Sequence, residues 1–204
     1  MDNKQHWDKV YGHKAPNAVS WYAPHLETSL NLIHQASTDK SAAIIDIGGG
    51  ESTLVDDLLA EAYQDISVLD ISQKAIDVAK DRIGKSADMV NWYCADITQA
   101  TLSQGYFDVW HDRASFHFLT LPEDISTYSD IVIHSLNNKG YLFLGTFSEN
   151  GPLKCSGLEV SQYSEAKFEK LFANDFDLQQ SFNQDHETPF NTVQNFIFCH
   201  YIKK

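Results

Sequence analysis

Short apolar runs alternate along the chain with segments whose apolar residues recur at helical spacing. Residues 41–47 (SAAIIDI) are typical of a buried strand, and residues 52–63 (STLVDDLLAEAY) are typical of a helix. Residues 65–70 (DISVLD) form a second strand-like run, after which Ser72 is suited to cap a helix that Gly84 ends. The pattern predicts two successive strand–helix units.

The same alternation continues toward the carboxyl terminus. Residues 89–96 and 106–112 have the pattern of a third and a fourth strand. A T-x-x-E capping box that begins at Thr120 predicts a helix to about Asn137, and residues 141–147 follow as a fifth strand. Because strands joined by helical crossovers lie parallel, with helices on both faces, the predicted fold is a doubly wound, mostly parallel α/β sheet.

The two ends of the chain depart from this alternation. A predicted helix at 164–173 precedes two strand-like runs, 176–182 and 192–201, which are typical of an antiparallel hairpin around a loop at 183–191. This C-terminal hairpin would close the sheet edge and bring the sheet to seven strands.

The start of the chain is predicted to be helical. Residues 2–11 are amphipathic, and a second helix is predicted over 24–36. A chain of 204 residues can bury one full core, so we expect a single domain over 1–204. Within it, residues 1–38 would form an N-terminal helical lid and residues 41–202 the core.

Composition and charge narrow the class of protein. Hydrophobic residues make up 43% and charged residues 21% of the sequence, as in folded soluble proteins. The net charge of −13 disfavours nucleic acid as a partner. No N-terminal signal region and no run near the ~18 apolar residues of a membrane span are found, which favours a cytoplasmic protein with no membrane partner. Three cysteines without a CxxC pair and nine histidines without a ligand spacing predict no metal site.

A glycine triplet, Gly48, Gly49 and Gly50, follows the first predicted strand in the stretch IIDIGGGES. Ligands of doubly wound sheets bind outside the carboxyl ends of the strands, so this loop is the expected site. The alternative is that the glycines only turn the chain tightly into the next helix. The triplet by itself is a weak signal.

Two aspartates strengthen the case for a ligand. Asp70 ends the second predicted strand, where a carboxylate can accept hydrogen bonds from both hydroxyls of a ribose, and Asp96 ends the third. Either residue taken singly is more typical of a solvated strand end or a helix cap. Together with the glycine loop, at three successive strand ends, they favour an adenosine-containing ligand.

The details of the loop discriminate between cofactors. A dinucleotide fingerprint would need a third glycine where Thr53 stands, and no GK[ST] sequence is present. Asp46 places a carboxylate beside the pocket, which suits a ligand with an ammonium and a sulfonium group. S-adenosyl-L-methionine is such a ligand.

These motifs resemble those of the class I, seven-strand S-adenosylmethionine-dependent methyltransferases, over most of residues 41–202. The resemblance implies a Rossmann-like core. It places Asp46 near the methionine ammonium, Gly48 and Gly50 beside the amino-acid moiety, Asp70 on the ribose, and Asp96 with Ile97 beside the adenine. Many members have another small residue at the position of Gly49, a departure that we expect to matter little. The full predicted cofactor-binding set is Trp7, Tyr11, Trp21, Asp46, Gly48, Gly49, Gly50, Asp70, Ile71, Asp96, Ile97 and His111.

A narrower resemblance covers HWDKVY (6–11), SWY (20–22) and DVWHDRASFHFL (108–119), which look like the thiopurine-methyltransferase-like branch and its bacterial relatives. Asp112, with the Arg and Phe that follow it, also fits an Asp-Lys/Arg-x-x-Phe element of some lysine methyltransferases. The resemblance therefore does not separate a small-molecule acceptor from a protein acceptor.

Methyl transfer from a sulfonium is an in-line displacement that depends mainly on orientation and on exclusion of water. Trp7, Tyr11, Trp21 and Tyr22 are candidates for a shielding lid, although they can equally anchor the N-terminal helices on the core. The loop at 148–159 is a candidate for shaping the substrate pocket.

Four residues near the end of the fourth predicted strand are the catalytic candidates: His111, Asp112, Arg113 and His117. Either histidine can accept a proton from a thiol, amine or hydroxyl near neutral pH, and Asp112 can orient an amine. The alternative is that His117 is a packed residue and that Arg113 is the ion partner of Asp112. Cys155 has no neighbour in the sequence that would activate a thiol.

The leading hypothesis is a methyltransferase that acts on an S, N or O nucleophile of a small molecule, as a monomer or homodimer. Protein lysine methylation and a non-catalytic S-adenosylmethionine-binding subunit are the alternatives. A nicotinamide dehydrogenase is disfavoured by Thr53.

Overall fold

The computed structural model describes residues 3–37 and 39–204. Predictions that fall on residues 1, 2 and 38 lie outside the described residues. The strands are β1 (Ala43–Ile47), β2 (Asp65–Asp70), β3 (Val90–Cys94), β4 (Phe107–Arg113), β5 (Leu136–Phe147), β6 (Lys154–Cys155), β7 (Leu158–Glu159), β8 (Phe176–Glu187) and β9 (Val193–Lys203). The helices are α1 (Asn3–His13), α2 (Glu27–Ala36), α3 (Leu54–Ala60), α4 (Gln73–Ile83), α5 (Pro122–Ser135) and α6 (Glu165–Phe172), with short 3-10 turns at Pro16–Ala18, Gly84–Met89, Ile97–Gln99 and Phe116–Phe118.

Seven of the strands form one sheet in the order β3-β2-β1-β4-β5-β9-β8. The first five strands in that order are parallel, whereas β9 runs antiparallel to both β5 and β8. The predicted seven-strand α/β fold with a C-terminal antiparallel hairpin is therefore confirmed. The order reverses between β1 and β4, so the carboxyl ends of β1, β2 and β4 meet at the switch point where ligands of such sheets bind.

The sheet separates two apolar layers. All five residues of β1 are buried, because helices cover both of its faces. One layer contains Ile44 and Phe143 and packs against α2 and α3, and the other contains Trp110 and packs against α5 and α6. A central strand buried on both sides holds the loop that follows Ile47 in a fixed position.

The N-terminal helices lie at the ligand end of the sheet. Helix α1 has no buried residue and is tied to α4 by a hydrogen bond from Ser72 Oγ to Asp8 Oδ1 at 2.7 Å. Helix α2 is anchored more firmly, since Ser29, Leu32 and Ile33 are buried. None of the described helices is long and apolar enough to cross a membrane.

Several predicted boundaries differ from the structure. The prediction of a capping box at Thr120 is wrong. Leu121 is the N-cap residue of α5, and no side chain caps that helix. Proline fixes its own backbone and pushes the residue before it into an extended conformation, so the helix starts at Pro122. The loop predicted over 183–191 shortens to the turn between β8 and β9, because the ladder continues to the pair Glu187 and Val193.

Candidate active site

A cavity of about 260 Å³ opens at the carboxyl ends of β1 to β4. It is lined by the ends of these strands, by the 3-10 turns that follow β3 and β4, and by the N-terminal segment. The lining residues are Asn3, Trp7, Tyr11, Trp21, Ile47, Gly48, Leu69, Asp70, Ile71, Ala95, Asp96, Ile97, Thr98, Gln99, Arg113, Ala114, Ser115, Phe118, Leu119 and Asp124. We call it the nucleoside cavity because Asp70 and Asp96, from neighbouring strand ends, both line it.

Asp70 lies on the floor of this cavity and is only 4% exposed. Its Oδ1 accepts a hydrogen bond of 2.7 Å from the backbone N–H of Ser72, whereas none of the described residues donates to Oδ2. Burial raises the pKa of Asp70 to about 7, and the neighbouring Asp46, Glu51 and Asp8 add to the rise. A buried carboxylate oxygen without a donor is poised to accept hydrogen bonds from a ligand.

Asp96 occupies the corresponding position after β3. Its Oδ1 caps the following 3-10 turn, with 2.9 Å to the backbone N of Thr98 and 2.8 Å to Thr98 Oγ1. Asp96 is thus a local cap and also part of the cavity wall, beside the buried Ile97.

The three glycines of the loop are required by close contacts with side chains of the protein itself, and not only by a ligand. An added Cβ would lie 2.6 Å from Ser115 Cβ at Gly48, 2.6 Å from Asp46 Oδ2 at Gly49, and 2.7 Å from Asp70 Oδ2 at Gly50. The three glycines therefore make room first for side chains of the protein itself. Only Gly48 lines the nucleoside cavity, and Gly50 lines neither that cavity nor the two smaller ones described below. A side chain at Gly49 would force Asp46 or Val68 to shift, so glycine at this position fits the packing of this chain.

Aromatic residues close the cavity on its outer side. Trp7 of α1 packs edge-on against Phe118 at 4.9 Å and against Trp21 at 5.8 Å between ring centroids. Tyr11 lies 6.2 Å from Trp21. Trp7, Tyr11 and Trp21 are thus brought together over the ligand side, with Phe118 as an unpredicted member. Tyr22, also predicted for the lid, lines the second cavity described below and not this one.

A second, smaller cavity of about 40 Å³ adjoins the glycine loop and shares Tyr11, Trp21, Gly48 and Arg113 with the first. Glu51 lines it, 9% exposed, and neither of its carboxylate oxygens has a partner among the described residues. Burial raises the pKa of Glu51 to about 7, against the opposing effect of Arg82. The sequence analysis missed Glu51, although it directly follows the glycines.

Asp46 also lines the second cavity and not the first. Nδ1 of His111 donates to Asp46 Oδ1 at 2.7 Å, and Nε2 of the same ring lies 2.8 Å from Ser29 Oγ. All three residues are buried. Both nitrogens of His111 are occupied, so the histidine links α2 to β1 instead of presenting a free base to the cavity.

Two of the predicted catalytic residues lie away from the three described cavities. Asp112 is buried and accepts from the backbone N of Ser115 and Phe116 and from Tyr128 Oη at 2.8 Å. His117 is buried and stacks on Phe147 at 4.3 Å, and burial lowers its pKa to about 3. The structure therefore does not bring these two predicted residues to the cavities: hydrogen bonds engage Asp112, and His117 is packed in the core with its Nε2 unpartnered among the described residues.

Arg113 is brought to the site, but not as an ion partner of Asp112. Its Nη1 donates to the backbone oxygen of Trp21 at 3.0 Å, and within the described residues it has no carboxylate within 4.0 Å. Burial lowers the pKa of Arg113 to about 10, so the guanidinium stays charged at neutral pH. No group of three potential metal ligands occurs in residues 3–37 and 39–204.

The loop at 148–159, which we expected to shape the substrate pocket, lines none of these three cavities. It folds on itself through β6 and β7, with Ser156 and Gly157 at positive φ in the turn. Cys155 is buried, and burial raises the pKa of its thiol to about 11.

Comparisons with known proteins agree with this architecture. Residues 44–140 match the family model of a methyltransferase domain. The eEF1A lysine and N-terminal methyltransferase of Mus musculus is 27% identical over 126 residues, which cover 62% of this chain and 18% of that protein. The malonyl-(acyl-carrier protein) O-methyltransferase of Anoxybacillus flavithermus is 33% identical over 120 residues, 58% of this chain and 42% of that protein. The chain thus spans less than half the length of these curated relatives.

A solved structure matches nearly the whole chain. The N-methyltransferase NodS of Bradyrhizobium japonicum WM9, in complex with S-adenosyl-L-homocysteine, has a TM-score of 0.73 over 99% of both chains at 13% identity. At that identity the likeness demonstrates a shared fold. The matched domain and the strand order thus agree with the fold predicted from the sequence.

Residues 44–140 thus resemble a methyltransferase domain, and the chain has the fold of a solved methyltransferase, in agreement with the resemblance of its sequence motifs. The bound S-adenosyl-L-homocysteine of that N-methyltransferase agrees with the cofactor predicted from the sequence. The matches do not confirm the thiopurine-methyltransferase-like branch.

Proposed function

We propose that the protein transfers a methyl group from S-adenosylmethionine to a small-molecule acceptor. The observation that carries this proposal is the convergence of Asp70 and Asp96, from neighbouring strand ends, on one cavity that aromatic side chains close. A nucleoside needs hydrogen-bond acceptors for its ribose and a flat, partly apolar slot for its base, and these residues supply both.

The residues of the nucleoside cavity fit the adenosine part of the cofactor. Oδ2 of Asp70, which none of the described residues engages, would accept hydrogen bonds from the ribose hydroxyls. Asp96, Ile97 and Ile71 would line the adenine. These roles follow the sequence prediction, with the aromatic pair Trp7 and Phe118 covering the ligand.

The second cavity fits the amino-acid end. Glu51 is a buried carboxylate with no partner among the described residues, and a cation beside it would stabilise its ionised form. Glu51 is therefore a better candidate for the α-ammonium group than Asp46, because Oδ1 of Asp46 is engaged by His111. Gly48, which borders both cavities, would lie between the two parts of the ligand.

When bound, S-adenosylmethionine supplies a methyl group that is already activated by its sulfonium. The protein then has to orient the acceptor and exclude water, and orientation alone can provide about 7 to 11 kcal/mol of the barrier. Trp7, Tyr11 and Trp21, which precede α2 in the chain, would exclude water and so act as the lid. With both nitrogens of His111 engaged, an acceptor proton would leave to solvent and not to a histidine.

Two measurements test this proposal. Calorimetry on the purified, cofactor-free protein should detect binding of S-adenosyl-L-homocysteine at one site; no binding at millimolar concentration would end the proposal. Incubation with methyl-labelled S-adenosylmethionine and a cell extract should then move the label into small metabolites. Label that enters a discrete protein band would point to the alternative acceptor class.

Protein lysine methylation is the second candidate. It is supported by the Asp112, Arg113 and Phe116 spacing and by the similarity to the murine eEF1A methyltransferase. Against it stands Asp112, whose oxygens are used internally and so cannot orient a lysine amine. A non-catalytic cofactor-binding subunit is the third candidate, and turnover of bound cofactor with any acceptor would exclude it.

A further inference from the structure

Arg113 is an internal cation at the meeting point of three cavities. It lines the nucleoside cavity, the second cavity beside the glycine loop, and a third cavity of about 170 Å³. In the proposed function the first two are filled by the cofactor. The third cavity, on the far side of Arg113, is assigned to nothing.

The third cavity lies between the start of α2 and the hairpin of β8 and β9. Its apolar wall consists of Leu26, Phe196 and Phe198, all buried. At its opening stand the polar side chains of Thr28 and Gln184, which hydrogen-bond to each other at 2.8 Å. The cavity therefore has an aromatic wall, and its polar side also includes two acidic residues, Glu27 and Asp185.

The charged end of Arg113 is directed toward this third cavity. Its guanidinium carbon lies 5.1 Å from the ring centroid of Phe196, a residue that lines the third cavity and neither of the others. The proximity of Arg113 also lowers the pKa of His186, another lining residue, beyond the larger effect of burial. The guanidinium thus faces the compartment that the cofactor would leave free.

The hydrogen-bonding capacity of Arg113 is mostly unused. A guanidinium has five N–H donors, and the one hydrogen bond that it donates within the described residues goes to the backbone oxygen of Trp21. Of the acids that line the second and third cavities with Arg113, Asp46 is bonded to His111, Asp185 accepts from Asn195, and Glu27 is on the surface. Glu51 has no partner among the described residues, but the proposed function assigns it to the ammonium group of the cofactor. Asp46 raises the pKa of Arg113 from a distance but does not form an ion pair with it. A desolvated cation without a directly paired anion is costly, which favours a ligand that supplies one.

We infer that the third cavity receives the methyl acceptor and that Arg113 pairs with a carboxylate on it. This inference rests on the proposed function, because the cofactor must occupy the other two cavities. The planar fork of a guanidinium matches a carboxylate through two parallel hydrogen bonds, and the phenyl rings of Phe196 and Phe198 suit a flat apolar body. A protonated lysine would be repelled at the same place, so the inference favours a small acidic acceptor over a protein lysine.

A matched series of three probes isolates the charge of the acceptor. Benzoate, benzyl alcohol and benzylamine share an aromatic ring and differ in charge at neutral pH. Binding of each is measured by ligand-observed NMR titration, with the protein saturated with S-adenosyl-L-homocysteine. Benzoate should bind at least about tenfold more tightly than benzylamine.

Variants then assign the effect to one side chain. Arg113→Gln should weaken benzoate binding about tenfold or more, a larger factor than its effect on the affinity for S-adenosyl-L-homocysteine. Arg113→Lys should retain part of the benzoate affinity, since it keeps the charge but loses the fork. Lys170→Gln, an exposed substitution on α6 that removes one positive charge, is the matched control and should have no effect.

The outcomes separate the inference from the proposed function. Tighter binding of benzylamine, or equal benzoate affinity in Arg113→Gln, would overturn the inference alone. An equal or larger loss of S-adenosyl-L-homocysteine affinity in that variant would also overturn it, since Arg113 would then hold the carboxylate of the cofactor. Failure of the wild-type protein to bind S-adenosyl-L-homocysteine would remove the proposed function first. If Arg113→Gln does not fold, the probe series and Arg113→Lys decide.

Discussion

Replacing Asp70 with asparagine removes one charge from the nucleoside cavity and changes little else. The side chain is nearly isosteric, and its carbonyl oxygen can still accept the hydrogen bond from the Ser72 N–H. The buried carboxylate is costly in the cofactor-free protein, because its pKa rises from 3.8 to about 7. Asp70→Asn should therefore stabilise the empty protein and weaken ligand binding at the same time.

The size of the stability effect follows from the pKa. A rise of about three units corresponds to roughly 4 kcal/mol at most, since each unit is worth about 1.4 kcal/mol. The folded state holds a proton that the unfolded state has already released, so stability falls as pH rises from about 4 through 7. The variant lacks this loss, so its advantage over the wild type should be large at pH 8 and small near pH 4.

The effect on binding has the opposite sign. Hydrogen bonds to a charged group contribute about 1.5 to 3 kcal/mol, so the affinity for S-adenosyl-L-homocysteine at pH 8 should fall about 10- to 100-fold. Thermal melts between pH 4 and 8 and calorimetric titration measure the two effects on the same preparations. Asp81→Asn, an exposed substitution on α4, is the control. Unchanged affinity together with an unchanged pH profile of stability would refute the assignment of Asp70 to the ribose.

Three further substitutions test other parts of the site. Glu51→Gln should weaken binding of S-adenosyl-L-homocysteine but not of 5′-methylthioadenosine, which lacks the amino-acid end; equal losses in calorimetry would contradict the placement of the ammonium. Gly49→Ala should lower stability by about 1 to 3 kcal/mol in thermal melts, because its Cβ would lie 2.6 Å from Asp46 Oδ2 and 2.8 Å from Val68 Cγ1. Gly12→Ala is its control, since that Cβ meets only the flexible Lys74 side chain, and an equal loss in both variants would count against the steric argument. His117→Phe should leave the pH dependence of methyl transfer unchanged, because the ring is buried and uncharged, and a shifted profile would reinstate it as a proton acceptor.

Local patterns in the sequence were sufficient for most of the fold. The span of β2, the cap at Ser72 and the end of α4 at Gly84 match the prediction, because each depends on neighbouring residues only. The start of α5 was missed because proline constrains the residue before it more strongly than the capping box attracts Thr120. The elongation of β8 and β9 depends on their pairing with each other, which periodicity within either strand does not contain.

The site was predictable only where it coincides with strand ends. Asp70 and Asp96 meet at one cavity because parallel strands bring their carboxyl ends to one edge of the sheet. The engagement of His111 by Ser29 joins residues that are 82 positions apart, so no spacing rule could show that the histidine is occupied. The burial of Glu51 without a hydrogen-bond partner could likewise not be predicted, because it depends on residues distant in sequence, Tyr11 and Trp21, that line the same cavity.

A crystal structure with S-adenosyl-L-homocysteine is the most direct test of the central claim that this cavity holds a nucleoside at the carboxyl ends of the strands. The account predicts the ribose hydroxyls within hydrogen-bond distance of the Asp70 carboxylate, the adenine beside Asp96 and Ile97, and the amino group beside Glu51. Density for the ligand elsewhere on the protein, or a ribose turned away from Asp70, would contradict it.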